Sequence, residues 1–91
     1  MRFLKFQLNY QQPGTPVEVS ITGSASDVFL VDNTNLAIFE RGRGQRLTRY
    51  GGHYNASPVV LQVPSGGVWT AVVVPPPGRT VTASVRILAR T

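Results

Sequence analysis

Residues 17–22 read VEVSIT, and this stretch decides the class of fold. Apolar residues occupy every second position, at Val17, Val19 and Ile21, and polar residues fill the positions between them. Because successive side chains of a β-strand point to opposite faces, this alternation predicts a strand with one face in a core and one in solvent. No part of the chain shows a comparable helical periodicity.

The same alternation recurs near both ends of the chain, in FLKFQLNY (residues 3–10) and in TVTASVRI (residues 80–87). Turn-forming sequences separate the strands, among them QQPGTP (11–16), DNTN (32–35), PSGG (64–67) and PPPG (75–78). We take PPPG as a rigid turn between strands. Trp69 opens an apolar run, and we expect it in the core.

These signals predict short strands at regular spacing, which is typical of an antiparallel sandwich or barrel. We therefore predict an all-β fold: a single antiparallel β-sandwich domain over residues 1–91, with a barrel-like closure as the alternative. For Leu36–Phe39 a single helical turn is the alternative to a strand. The predicted strands are Arg2–Tyr10, Val17–Thr22, Val28–Val31, Leu36–Phe39, Val59–Val63, Val68–Val74 and Thr80–Leu88.

Composition narrows the class of protein further. With 42% hydrophobic and 14% charged residues, the 91-residue chain does not have the composition of a disordered protein. The absence of cysteine excludes a disulfide framework, a zinc ribbon and a thiol nucleophile. No run is long and apolar enough for a membrane span, and the first residues do not resemble a signal peptide, so we expect a cytoplasmic protein.

The chain offers few residues for catalysis. His53 is its one histidine, and Ser57 follows it without the sequence of a nucleophile elbow. The four acidic residues form no evident pair and do not fit the spacing of a calcium loop. We therefore expect no enzyme, no metal site and no cofactor.

The segment Arg41–Ser57, RGRGQRLTRYGGHYNAS, is the most unusual part of the chain, and we call it the basic segment. Four of its first nine residues are arginines, the arginine cluster Arg41–Arg49, in a chain of net charge +5. Arginine binds phosphates and carboxylates in pairs of hydrogen bonds, and aromatic rings stack on bases or sugars. The candidate ligand-binding residues are Arg43, Arg46, Arg49, Tyr50, His53 and Tyr54.

This pattern leaves several partners open. We favour non-enzymatic recognition of a protein or a small anionic ligand. Nucleic acid bound by the arginine cluster is one alternative. A structural domain that forms homo-oligomers is another. In a further interpretation the basic segment is a solvated loop joining two sheets, and its tyrosines pack on the edge of the sandwich.

Several longer sequences together resemble a known family. They are VFLVDNTNL (28–36), RYGGH (49–53), SPVVLQVPSGGVW (57–69) and VTASVRIL (81–88). The chain is similar to a small bacterial family of all-β domains of unknown function, found alone or as the N-terminal module of proteins with a TIR-like domain. The resemblance implies an accessory or sensing module in bacterial defence or signalling, and it transfers no catalytic residues. The family pattern has an aspartate and a glycine-rich turn where this chain has VPPPG at Val74–Gly78.

Overall fold

The computed structural model describes residues 3–42 and 48–88, which form seven β-strands and one α-helix. The elements are β1 (Leu4–Gln11), β2 (Pro16–Thr22), β3 (Ser26–Asp32), α1 (Asn33–Arg41), β4 (Tyr50–Tyr54), β5 (Val59–Gln62), β6 (Gly67–Val74) and β7 (Thr82–Ile87).

The strands form two antiparallel sheets that pack face to face. One sheet has the strand order β1-β6-β3-β4, and the other has the order β5-β2-β7. Every described strand pair is antiparallel, and none joins one sheet to the other. The predicted all-β sandwich is therefore confirmed, and the described strands do not close into the alternative barrel.

The main core lies between the two sheets, on what we call the inner face of the four-stranded sheet. Val17 and Val19 of β2 are buried there together with Val28 and Leu30 of β3. Trp69 of β6 joins this core with only 3% of its surface exposed, as the sequence predicted. Its Nε1–H donates a hydrogen bond to the Ser65 carbonyl at 2.9 Å, which satisfies the one polar atom of the buried indole.

A second, smaller core lies on the opposite side of the same sheet, which we call its outer face. Phe29 of β3 is buried there beneath α1, and its ring centroid lies 5.5 Å from that of Phe39 in an edge-to-face contact. Phe3 contacts Phe39 in the same way at 4.8 Å. Strand β3 therefore buries side chains on both faces, which explains why its sequence shows an unbroken apolar run instead of alternation.

The predicted strand at Leu36–Phe39 is wrong, because these residues belong to α1. Asp32 caps the helix: its Oδ1 accepts a hydrogen bond from the Asn35 N–H at 2.8 Å. Gly42 follows the last helical residue as its C-terminal cap, and its φ of 63° is the left-handed conformation that favours glycine. Leu36 and Phe39 lie three residues apart, which brings both to the helix face that packs on the outer face of the sheet.

Strand β4 lies within the stretch that the sequence suggested was a loop. Its sequence, YGGHY, has no alternation of apolar and polar residues, so pattern reasoning misses it. It forms because it pairs with β3 in the register Asp27–His53 to Leu30–Tyr50. Gly51 is needed for this close pairing, since a Cβ there would lie 2.7 Å from the Phe29 Cα.

Candidate functional site

The structure places four of the six predicted site residues on or beside one edge strand. Tyr50, His53 and Tyr54 belong to β4, and Arg49 directly precedes it. Arg43 and Arg46 lie outside the described residues. The ligand-binding role of all six stays a prediction.

Arg49 lies on the outer face, against the ring of Phe29. The distance from its Cζ to the centre of that ring is 5.1 Å, within the range of a cation–π interaction. Because Phe39 contacts the same ring, Arg49 is positioned beside the helix. A guanidinium held in this way loses less side-chain freedom when it binds an anion.

His53 also lies on the outer face, opposite Asp27 of β3 in the sheet register. Its Nδ1 is 2.9 Å from Asp27 Oδ1, and both side chains are exposed, 63% and 42% respectively. No sequence pattern links these two residues, since their contact depends on the pairing of β3 with β4.

The side chains of Tyr50 and Tyr54 lie on the inner face of the sheet, opposite to those of Arg49 and His53. The ring of Tyr50 meets that of Trp69 edge to face at 5.7 Å, and Tyr54 packs against the main core. The site residues are thus divided between two faces: Arg49 and His53 on the outer face, Tyr50 and Tyr54 on the inner face. The tyrosines lie at the edge of the sandwich, as in the loop interpretation of the basic segment, although β4 itself is a strand.

Hydrogen bonds hold the described residues on both sides of positions 43–47. On one side, the Gly42 N–H donates to the Phe39 carbonyl at 3.1 Å. On the other, the Thr48 N–H donates to Asn35 Oδ1 at 2.8 Å. Asn35 is itself fixed, because its Nδ2 donates to Asp32 Oδ1 at 2.9 Å. The arginine cluster is therefore attached to the body of the domain at both of its ends.

Each of the four acidic residues contacts another residue of the chain, and none of these contacts involves a described arginine of the cluster. Within the described ranges, Arg41 and Arg49 have no carboxylate at salt-bridge distance. The acid contacts are Glu18–Arg86 at 2.9 Å, Glu40–Lys5 at 2.6 Å, Asp27–His53, and the helix cap by Asp32.

Two concave regions of the described structure are lined by residues other than Arg41 and Arg49. The larger, of about 620 Å³, is formed by the connection Val74–Thr80 and includes all three prolines of PPPG. Val74 pairs with Asp27, so this groove begins beside the Asp27–His53 pair. The smaller, of about 150 Å³, includes Ser57. The sequence did not predict either concave region.

Ser57 does not form a triad with His53 and Asp27 in this structure. Its Oγ accepts a hydrogen bond from the Ile21 N–H at 2.9 Å, which ties the β4–β5 connection to β2. Over residues 3–42 and 48–88, no group of three His, Cys, Asp or Glu side chains is arranged to hold a metal ion. In the same ranges, no helix has the length and apolar character needed to cross a membrane. The cytoplasmic location suggested by the sequence stays a prediction.

The fold and site define a small β-sandwich domain with a short helix on one sheet and a basic segment at one edge. Residues 1–90 match the sequence profile of the domain of unknown function DUF1883. The chain belongs to this family. No curated protein and no solved structure shows significant similarity to it.

Proposed function

We propose that this domain is a non-enzymatic recognition module, and that the arginine cluster with the adjoining start of β4 binds an anionic partner. The partner is a protein or a small anionic ligand. The observation that carries the proposal is the distribution of charge: four of the nine basic residues lie within positions 41–49, while the acidic residues engage other parts of the domain.

The position of Arg49 supports this proposal. Its contact with Phe29 holds the guanidinium at the surface, with no carboxylate at salt-bridge distance in the described part of the chain. Arg41 ends the helix whose Phe39 contacts the same Phe29 ring. Charge-assisted hydrogen bonds from an arginine suit a carboxylate or a phosphate.

The candidate site residues lie on two opposite faces of the sheet, and this favours a protein or a small anion over nucleic acid as the partner. Single-stranded nucleic acid binds best where aromatic rings and cations share one surface. Here Tyr50 and Tyr54 lie on the inner face, whereas Arg49 and His53 lie on the outer face. Nucleic acid remains an outcome that the experiment distinguishes.

The absence of catalysis is part of the proposal. His53 is the one histidine of the sequence, and within the described residues the acid that it contacts is Asp27; both side chains are exposed at the edge of a sheet. Acid–base catalysis works best in sites that exclude water and position a substrate, which this edge does not provide. We also propose a setting in bacterial defence or signalling, for which the support is the resemblance of the sequence.

Fluorescence polarisation tests the proposal with two labelled probes, a hexaglutamate peptide and a single-stranded oligonucleotide, at about 50 and 200 mM salt. The site variant is Arg41→Gln/Arg49→Gln. The matched control is Arg79→Gln/Arg86→Gln, which removes the same two charges elsewhere. Both variants have a net charge of 5 − 2 = +3.

The proposal predicts that the site variant loses at least about tenfold in affinity for hexaglutamate, while the control loses less than about threefold. Equal losses in both variants would mean that only net charge matters, and would contradict the proposed site. Absence of binding at low salt would also overturn it. Tighter binding of the oligonucleotide, with a strong salt dependence, would favour the nucleic-acid alternative.

A further inference from the structure

We propose that the open edge of β4 binds an extended acidic peptide as an additional strand of the four-stranded sheet. This inference rests on the proposed function and specifies the form of the partner. Strand β4 ends the sheet order β1-β6-β3-β4, and in the described ranges it pairs with β3 alone. The backbone groups on its other edge are therefore available to a further strand.

The other three edge strands carry features that hinder strand addition. Strand β1 has an irregularity in its register between Gln7 and Asn9, where Asn9 takes a φ of 61°. Such bulges protect natural sheet edges from further pairing. Strand β5 has only four residues and lies between Pro58 and Pro64, neither of which has an N–H to donate.

Strand β7 contains a charged residue, Arg86, whose side chain pairs with Glu18 of the neighbouring strand β2. Strand β4 has no proline, no lysine and no arginine between Tyr50 and Tyr54, and its register with β3 is unbroken. Among the four described edges it is thus the one without these protective features.

The backbone of β4 is also easy to reach. Gly51 and Gly52 are exposed and have no side chains that would cover the strand. The Cβ position of Gly52 has no atom within 4 Å, so the sheet face above this residue is open. An incoming strand must approach to about 4.8 Å, and two adjacent glycines in the middle of a strand favour such an approach.

Charge indicates which peptide this edge accepts. Arg49 directly precedes β4, and Arg41 ends the helix whose Phe39 packs on the same ring as Arg49. A peptide with carboxylates on alternate residues that pairs its backbone with β4 would place its acids on the outer face, the face on which Arg49 lies. A nucleic acid has no backbone N–H groups at strand spacing, so it cannot make this pairing.

Alternate N-methylation separates strand addition from simple charge attraction. The parent probe is a labelled eight-residue peptide of alternating Glu and Val. One derivative is N-methylated at every Glu and the other at every Val, so that each loses the N–H groups along one edge while its charge is unchanged. Affinities are measured by polarisation with the unaltered domain, and hydrogen exchange follows the amides of residues 50–54.

The proposal predicts that one derivative binds at least about tenfold more weakly than the parent, and that the other stays within about threefold. It also predicts that the parent peptide slows amide exchange in β4. Equal binding of all three peptides, with the loss in the Arg41→Gln/Arg49→Gln variant retained, would overturn strand addition and leave the proposed function standing. Failure of the parent peptide and of hexaglutamate to bind would overturn both.

Light scattering tests whether a second copy of the chain, instead of a peptide, binds the open edge of β4. A mass that doubles with concentration and returns to that of one chain on addition of the parent peptide agrees with the proposal, because both ligands then use the same edge. A dimer that resists the peptide and protects the β4 amides would contradict it, since a second copy of the chain would then occupy this edge.

Discussion

Replacing Gly51 by alanine is the sharpest test of how β4 joins the sheet. The backbone of Gly51 has a φ of 156°, a conformation that residues with side chains rarely adopt. A Cβ at this position would collide with the Val28 carbonyl oxygen and lie 2.7 and 2.9 Å from the Phe29 Cα and Cβ. Two of these three atoms belong to the backbone of β3, so no side-chain rotation relieves the contact.

The size of the effect follows from these two costs. An unfavourable φ costs about 1–3 kcal/mol, and displacing a packed backbone costs a similar amount. We therefore expect the free energy of unfolding to fall by about 3 kcal/mol, against a total of roughly 5–14 kcal/mol for a domain of this length. For a domain of this size that loss lowers the Tm by about 12–24 °C.

The neighbouring glycine provides the control. Gly52 has no atom within 4 Å of its Cβ position, so Gly52→Ala should change the free energy of unfolding by less than about 0.5 kcal/mol. Both variants are compared by denaturant unfolding, with hydrogen exchange at β3 and β4 to detect detachment of the edge strand alone. Gly51→Ala and Gly52→Ala variants with the same stability and the same β4 protection would refute the close pairing described here.

Two further substitutions test single hydrogen bonds. Asp32→Ala removes the oxygen that accepts the Asn35 N–H, and it should lower the free energy of unfolding by about 1 kcal/mol in thermal unfolding. Asp32→Asn keeps an acceptor and should lower it much less. Equal losses in the two variants would contradict the capping role. Trp69→Phe leaves the Ser65 carbonyl without its indole donor and reduces the contact with Tyr50, so we expect a loss of about 1–3 kcal/mol in denaturant unfolding. A Trp69→Phe protein as stable as the original would show that the indole N–H contributes nothing.

Alternation predicted the strands that have one buried face. In β2 the buried positions Val17, Val19 and Ile21 are those that the sequence pattern indicated. The pattern works there because the other side of that sheet faces solvent. The sandwich fold follows from several strands of this kind separated by turns.

The sequence left the helix as an alternative to a strand and did not predict β4, and the two cases have different reasons. Leu36 and Phe39 sit in a short apolar stretch, and such stretches suit a strand or a helical turn equally well. The helix is stabilised by the Asp32 cap and by the contact of Phe39 with Phe29. Strand β4 has almost no apolar pattern of its own, and its pairing with β3 provides the hydrogen bonds that define it.

The sequence indicated a set of candidate site residues, but it did not indicate their geometry. The density of arginine and aromatic residues drew attention to the basic segment. Strand geometry then separated neighbouring residues, since Arg49 and Tyr50 lie on opposite faces of the sheet. The contact of His53 with Asp27 arises from register between strands that are distant in sequence, which a single sequence does not reveal.

Phe29 connects the core to the proposed recognition edge. Its side chain contacts Phe39 of the helix and Arg49 before β4, and its backbone pairs with Gly51. The same residue therefore positions the helix that leads into the arginine cluster and the strand that follows it. Because Phe29 contacts both the core and the edge, a substitution that weakens its packing should reduce ligand binding as well as the stability of the fold. Arg49→Gln should reduce binding and leave the buried contact of Phe29 with Phe39 in place.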